Sequence, residues 1–419
     1  MGETLVVRGG RQLYGVAETP AAKNSVLPLL AASLLCDGVV RLHRVPRLSD
    51  VENSLAILRS VGCAARWTGR DVVIRPGGGL NGLLPDGPVG NMRASVLFAA
   101  PLLARTGRVE TGMPGGCKLG PRPIDIHLDG LVHMGAAVKW GQQHLVLEAP
   151  RGLHGADYTL RYPSVGATES LLLAAATARG TSVLRGAACE PEIVDLAAFL
   201  TGCGADISGA GSPVIRVSGV GRLAGTEFSP IPDRIVASTL ACAVASAGGE
   251  AVIRRCDPFA FAPLLAALKQ AGCGVDLSAQ NEVTVRRRGA LCGIGRVFTG
   301  VYPGFATDAA PLLAAALLCA GGESSIEDTV FEHRFSCAAG FAAMGAAVQA
   351  QGRTLTIRPC GGLHGTTVTS PDLRGGAALA IAALAAAEPT RIENAATIAR
   401  GYEDLPALLR RLGARAGWE

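Results

Sequence analysis

Leu58 to Trp67 reads LRSVGCAARW, and the same design returns five more times along the chain. LVHMGAAVKW starts at Leu131, FLTGCGADIS at Phe199, LKQAGCGVDL at Leu268, FAAMGAAVQA at Phe341 and LRRLGARAGW at Leu409. With Gly62, Gly135, Gly204, Gly274, Gly345 and Gly413 as marks, the steps are 73, 69, 70, 71 and 68 residues. A near-constant period is the signature of a repeated architecture. Glycine just past the last helical turn is the residue of a left-handed C-cap. The period exceeds that of the common solenoids, so each unit is predicted to be a small α/β module. Its order is an apolar helix, a strand, a second helix ending at the marked glycine, then short strands.

Outward from that turn, the first helix of each unit is apolar along its length, as in SVLPLLAASLL, ESLLLAAATA and AAPLLAAALL. Alanine and leucine with few β-branched residues read as buried helix. Polar groups mark the same end in all six units: Lys23 and Asn24, Arg93 with Ser95, Ser164-Val165-Gly166, Asp233-Arg234, Thr307-Asp308, and Arg374. A helix N-terminus attracts anions. Ser164, Asn24 and Thr307 read as ordinary N-caps. Lys23, Arg93, Arg234 and Arg374 do not, because a basic group opposes the helix dipole there. Four such placements point to a strongly anionic ligand.

Composition narrows the class. At 419 residues the chain has room for two or three domains, and 49% apolar content supplies a large core. The net charge of +5 is spread thinly, and Arg286-Arg287-Arg288 is the longest basic run. No aromatics interleave with it, so nucleic acid is not an expected partner. Twelve cysteines show neither a C-x-x-C pair nor a zinc-type Cys/His cluster, so neither disulfides nor a metal is expected. The N-terminus MGETLVVRGG lacks the pattern of a secretory signal, and no apolar run is long enough to span a bilayer. A reducing, cytoplasmic setting follows as the expectation.

One thiol stands apart. MPGGCKLGPRPIDIH, Met113 to His127, carries Cys117 on a glycine-rich loop beside Lys118 and Arg122. Nearby positive charge favours a thiolate. Cys117 is a candidate nucleophile or general acid, with an unemployed loop thiol as the alternative. No histidine–asparagine pattern of a cysteine protease accompanies it.

These segments, with AAKNSVLPLLAASLL, MRAS, PSVGATES, EPEIVDLAAFL, PDRI, ATDAAPLLAA, FEHRFSCAAGFAAMGA, DLRGGAAL and RGYEDLPALLRRLGA, resemble the UDP-N-acetylglucosamine 1-carboxyvinyltransferases. The resemblance runs in order from about residue 5 to 417. It implies an α/β fold of two inside-out barrel domains, each of three βαβαββ units with buried helices. The expected domains are 23–231, carrying the cysteine loop, and 1–22 with 232–419, with the active site in the cleft between them. The implied reaction moves the enolpyruvyl group of phosphoenolpyruvate to the sugar 3-hydroxyl and releases phosphate by addition and elimination. This would be the first committed step toward peptidoglycan, performed by a monomer without a cofactor.

By the same resemblance, Lys23, Arg122 and Arg400 would contact phosphoenolpyruvate, and Arg334 and Arg374 would steady developing charge. Asp308 would be the base or orienting group for the 3-hydroxyl, and Cys117 the acid toward the methylene carbon. Asn24, Arg93, Arg122, Pro123, Ile124, Asp125, Ile126, Ser164, Val165, Gly166, Asp308 and Val330 fall on nucleotide-sugar positions. Asp125 and His127 would hold the loop base, with a structural hydrogen-bonding role for His127 as the alternative. Lys118, Leu119, Tyr162, Ala306 and His333 depart from the family pattern, and none removes a catalytic group. Two alternatives stand beside the transferase: a non-catalytic nucleotide-sugar-binding paralogue, and an enolpyruvyl transferase acting on another acceptor.

Overall fold

The computed structural model describes residues 4–115, 124–141, 144–278 and 281–419. They form two compact units, one from residues 21–115 and 124–231, the other from residues 4–20 and 232–419. Each contains three of the repeats.

In the unit 21–231, the strand after each inner helix is Val40–Leu42, Arg108–Gly112 or Thr181–Arg185. Each pairs antiparallel with a later strand of its own repeat, Asp71–Arg75, His144–Glu148 or Val214–Ser218. That strand pairs antiparallel with the one just past the glycine turn. On its other edge each sheet takes a parallel partner from the preceding repeat. Leu83 bridges Glu110, and Asp157–Thr159 joins Thr181–Arg185. Glu227–Phe228 returns from the third repeat to Val40–Leu42 of the first, which closes the ring.

The unit containing 232–419 repeats the plan with one substitution. Gly249–Arg254, Ser324–Glu327 and Pro389–Glu393 are the inner strands. Within its sheet, the last repeat has no strand of its own between Pro389–Glu393 and Arg415–Trp418. Its missing central strand is Leu5–Arg8, which lies between Pro389–Glu393 and Arg415–Trp418. Leu13–Glu18 then pairs parallel with Gly249–Arg254. The N-terminus therefore completes the sixth repeat.

The helices fill the interior of each unit. Arg234–Ala247, Ala310–Leu317 and Leu373–Leu384 pack on one another in all three pairings, and nearly every residue in them is buried. In the other unit Lys23–Ala32 meets the 3-10 segment Arg93–Phe98, which leads into Ala99–Thr106. Val165–Ala175 packs on both of the latter. A helix apolar on every side is a buried helix. Close approach is set by glycine at matching places: a Cβ on Gly130 would lie 2.5 Å from Leu171, and one on Gly340 would lie 2.5 Å from Leu379.

The glycine turns are six Schellman motifs. Gly62, Gly135, Gly204, Gly272, Gly345 and Gly413 have φ between +86° and +104°. In each, the glycine N–H donates three residues back, as in Gly62 to Arg59 at 3.2 Å. The next N–H donates five back, as in Cys63 to Leu58 at 2.9 Å. Those two bonds define the motif. The fourth turn corrects the expected register. Gly272 makes it, whereas Gly274 already opens the strand Gly274–Ser278. The residue after each turn glycine is Cys63, Ala136, Ala205, Cys273, Ala346 or Ala414, all 6–7% exposed. Two of the cysteines are thus small core residues in an alanine position.

Candidate active site

In the unit containing 232–419, chemistry gathers where the inner helices begin. Asp308 lies in the 3-10 turn Thr307–Ala309 that leads into Ala310–Leu317. Its carboxyl does not cap that helix. Oδ2 accepts from Arg374 Nε at 3.1 Å and Nη2 at 2.8 Å, and Oδ1 lies 3.1 Å from Arg334 Nη2. Burial works against its ionisation, but Arg374 and then Arg334 outweigh that and hold the carboxyl well below the usual carboxylate range. The Asp308 side chain remains 27% exposed, so a ligand can reach it.

Both arginines are anchored from behind. Arg374 is in the first turn of Leu373–Leu384, whose N-cap Asp372 accepts the N–H groups of Arg374 and Gly375 at 2.9 and 3.0 Å. The Arg374 guanidinium lies 5.9 Å from the ring centre of buried Tyr402, whose hydroxyl bonds Thr239 at 2.7 Å. Arg334 is only 2% exposed and stacks 4.6 Å from the Phe331 ring. Its Nη2 contact with Asp308 is an ion pair without hydrogen-bond alignment. Arg334 Nη1 and Nη2 are thus buried donors lacking an aligned acceptor among the described residues. Such donors are rare in folded proteins, and a water, an ion or a ligand can supply the acceptor they need. Arg234 starts the helix Arg234–Ala247 behind its cap Asp233, and its charge also bears on Asp308.

The unit 21–231 has a second group. Lys23 opens the helix Lys23–Ala32 and is 9% exposed. Its Nζ is 2.6 Å from Asp50, a 3% exposed residue in the first turn of Ser49–Ser60. Asn24 is the exposed second residue of its helix and not the N-cap, which is Ala22. Ser164 does cap, accepting from Ala167 at 3.3 Å. Arg93 opens its 3-10 segment. His127 is 6% exposed and its Nδ1 meets Ser170 Oγ at 2.8 Å. Burial, then the nearby charge of Arg93, pushes its pKa down to about 4, so the ring is neutral at pH 7. It ties the helix Asp125–His133 to Val165–Ala175, and a Cβ on Gly166 would sit 3.2 Å from the ring.

Of the remaining expected residues, Ile124 is buried just ahead of Asp125–His133. The Ile126 N–H donates to Asp125 Oδ1 at 2.9 Å, and Asp125 also pairs with Arg161. Val165 begins its helix, and Arg400 ends the 3-10 segment Ala395–Arg400. The Val330 N–H donates to Asp328 at 2.8 Å. Cys117, Lys118, Leu119, Arg122 and Pro123 lie outside the described residues. Tyr162 is 43% exposed. Sequence reasoning missed Asp50, Asp328, Asp372 and Tyr402. Asp50 left a trace as an acid early in a second helix like Asp125 and Glu192, and Asp372 as an aspartate just ahead of an apolar helix.

A fold of six α/β repeats with arginine and lysine at its inner helix starts defines a class, the enolpyruvyl transferases. The model of the family described as EPSP synthase (3-phosphoshikimate 1-carboxyvinyltransferase) matches residues 7–409, and the chain belongs to that family. Among curated relatives, the UDP-N-acetylglucosamine 1-carboxyvinyltransferase 2 of Caldanaerobacter subterraneus subsp. tengcongensis is 40% identical, over 97% of each chain. The UDP-N-acetylglucosamine 1-carboxyvinyltransferase of Solidesulfovibrio magneticus is 41% identical, over 98% of each. Among solved structures, the enolpyruvyl transferase NikO from Streptomyces tendae is similar with a TM-score of 0.88 at 27% identity, covering 100% of this chain and 99% of its own.

Proposed function

We propose that this protein transfers the enolpyruvyl group of phosphoenolpyruvate to the 3-hydroxyl of UDP-N-acetylglucosamine, releasing phosphate, in the cytoplasm on the route to peptidoglycan. The observation that carries the reading is the Asp308 carboxylate held between Arg334 and Arg374, in a chain aligned end to end with transferases named for that sugar.

Lys23, Arg122 and Arg400 take the carboxylate and phosphate of phosphoenolpyruvate, where an arginine fork matches two oxygens at once. Asn24, Arg93, the segment from Arg122 to Ile126, Ser164 to Gly166 and Val330 bind the nucleotide sugar. The sugar oxygen attacks C2 of phosphoenolpyruvate while Cys117 gives a proton to C3. The tetrahedral adduct then returns a C3 proton to the Cys117 thiolate and expels phosphate. Asp308 accepts the hydroxyl hydrogen. A carboxylate gripped by two guanidiniums is a weak base, but an anionic substrate beside them offsets part of their field and returns basicity to it. The buried donors of Arg334 support this reading, because they are suited to charge that develops during the reaction.

The test is phosphate release from phosphoenolpyruvate by purified protein, with UDP-N-acetylglucosamine, with 3-phosphoshikimate and with neither. Release that requires the nucleotide sugar supports the reading. Release only with 3-phosphoshikimate, the acceptor in the family description, moves the chain to another acceptor. Nucleotide-sugar binding without release makes it a binding paralogue. If release is found, Cys117→Ser should abolish it and block alkylation by the epoxide fosfomycin.

A further inference from the structure

Asp328 follows the strand Ser324–Glu327 and is 0% exposed. Nothing in the proposed chemistry uses it. Its Oδ1 accepts the N–H groups of Val330 and Phe331 at 2.8 and 2.7 Å, which fixes the turn beneath Arg334. Its Oδ2 accepts the hydroxyl hydrogen of Thr307. That leaves the Thr307 oxygen to accept Arg334 Nε at 2.9 Å. Arg334 Nε is also 3.5 Å from Asp328 Oδ2. Thr307 immediately precedes Asp308, and Phe331 is the ring against which Arg334 lies.

A threonine hydroxyl has one hydrogen to give. With that hydrogen directed at Asp328, its lone pairs face Arg334, and the guanidinium plane is set at its Nε end. The other end then meets Asp308. One buried carboxyl thus fixes the backbone turn, the hydroxyl and the arginine around the candidate base.

We propose that Asp328 is a positioning residue for Asp308, acting through Thr307 and Arg334; the kinetic consequence rests on the transferase reading above. Without this chain of contacts Arg334 is no longer held against Asp308. The Asp308 carboxyl then loses part of its stabilising field and titrates at higher pH.

Three variants test it. Thr307→Val keeps the shape and removes the hydroxyl, while Thr307→Ser keeps the hydroxyl and removes a methyl. Asp328→Asn keeps the size and alters the hydrogen-bond pattern. Loss of a charge-assisted hydrogen bond that positions Arg334 is expected to lower kcat roughly 10- to 100-fold in Thr307→Val and Asp328→Asn. The KM for the nucleotide sugar should change little in Thr307→Val, which leaves the Asp328 bond to Val330 in place, and Thr307→Ser should recover most of the loss. Tolerance of Val with failure of Ser would mean packing is what matters and would overturn the proposal. The second readout needs no turnover. In protein labelled with 13C at aspartate, the Asp308 carboxyl signal, assigned by its loss in Asp308→Asn, is titrated. Its midpoint should rise in Thr307→Val and in Asp328→Asn, and an unchanged midpoint in folded variants overturns the proposal. Absence of turnover in the parent would sink the transferase reading alone, and the carboxyl titration would still decide this one.

Discussion

Asp308 and Arg374 meet through two nitrogens and one oxygen, with Nε at 3.1 Å and Nη2 at 2.8 Å from Oδ2. The other carboxylate oxygen is left to Arg334 and to whatever approaches the exposed part of the side chain. A nucleophile's hydrogen needs an acceptor within about 2.6–3.2 Å. Asp308→Asn keeps the size and removes the charge. Turnover should fall by roughly 10²–10⁴, the usual contribution of a general base. Nucleotide-sugar affinity by calorimetry should stay within a few-fold. Equal losses in affinity and turnover would make Asp308 a binding group instead.

Lys23 and Asp50 form a contact of 2.6 Å with side chains 11% and 5% exposed. Removing one partner of a buried pair costs up to about 3–5 kcal/mol, whereas replacing both with apolar groups is often neutral. Asp50→Ala should therefore lower the melting temperature clearly. The double variant Lys23→Met, Asp50→Leu should recover much of it and still lack turnover, because Lys23 is assigned to phosphoenolpyruvate. Thermal unfolding beside the phosphate assay separates the two effects. A double variant as unstable as Asp50→Ala would argue against the pair as the origin of the loss.

The repeat was legible because it is written in backbone chemistry. A helix end that must adopt positive φ leaves a glycine in the sequence, and buried helices leave alanine and leucine. The basic helix starts were equally visible, since Lys23, Arg234 and Arg374 break the dipole rule. What answers them was not visible. Asp50 lies far from Lys23 in the sequence, and Asp328 follows a strand like any turn aspartate. Thr307 read as a cap, yet its hydroxyl turns to Asp328 and Arg334. Side-chain direction decides between those fates, and it depends on tertiary neighbours. The slip from Gly272 to Gly274 has a similar cause, because GCG offers two glycines and only hydrogen bonding chooses between them.

That choice can be tested by substitution. Gly272 has φ +103°, and a Cβ there would meet the Ala290 carbonyl oxygen at an ordinary 3.8 Å, so Gly272→Ala meets backbone strain and little else. Gly274 is in a strand, and its Cβ would meet the Arg286 side chain at 3.2 Å, a group able to shift. Gly272→Ala should cost more than about 1 kcal/mol, and Gly274→Ala less. Urea unfolding of the two variants decides it. The reverse order would place the helix cap two residues later than its hydrogen bonds do.

Asp195 is 5% exposed, bonded to Ser25 and, at 3.2 Å, to the Ile231 N–H. Burial raises its carboxyl from 3.8 to about 6 against those bonds, and Glu192 adds to the rise. The folded state therefore holds this proton more tightly than the unfolded chain does. Its contribution to stability is present in full below pH 3.8 and is lost as pH climbs toward 6. At neutral pH the ionised, buried group costs up to about 3 kcal/mol. Asp195→Asn can still accept both bonds through its amide oxygen. It should raise the melting temperature at pH 7.5, with the gain shrinking toward zero near pH 4. Glu169, raised by burial and by Glu192 and Glu190, leaves a slope of the same sign in the variant, so the slope should lessen and not vanish. A gain that is the same at both pH values would show that packing, and not the proton, is the source.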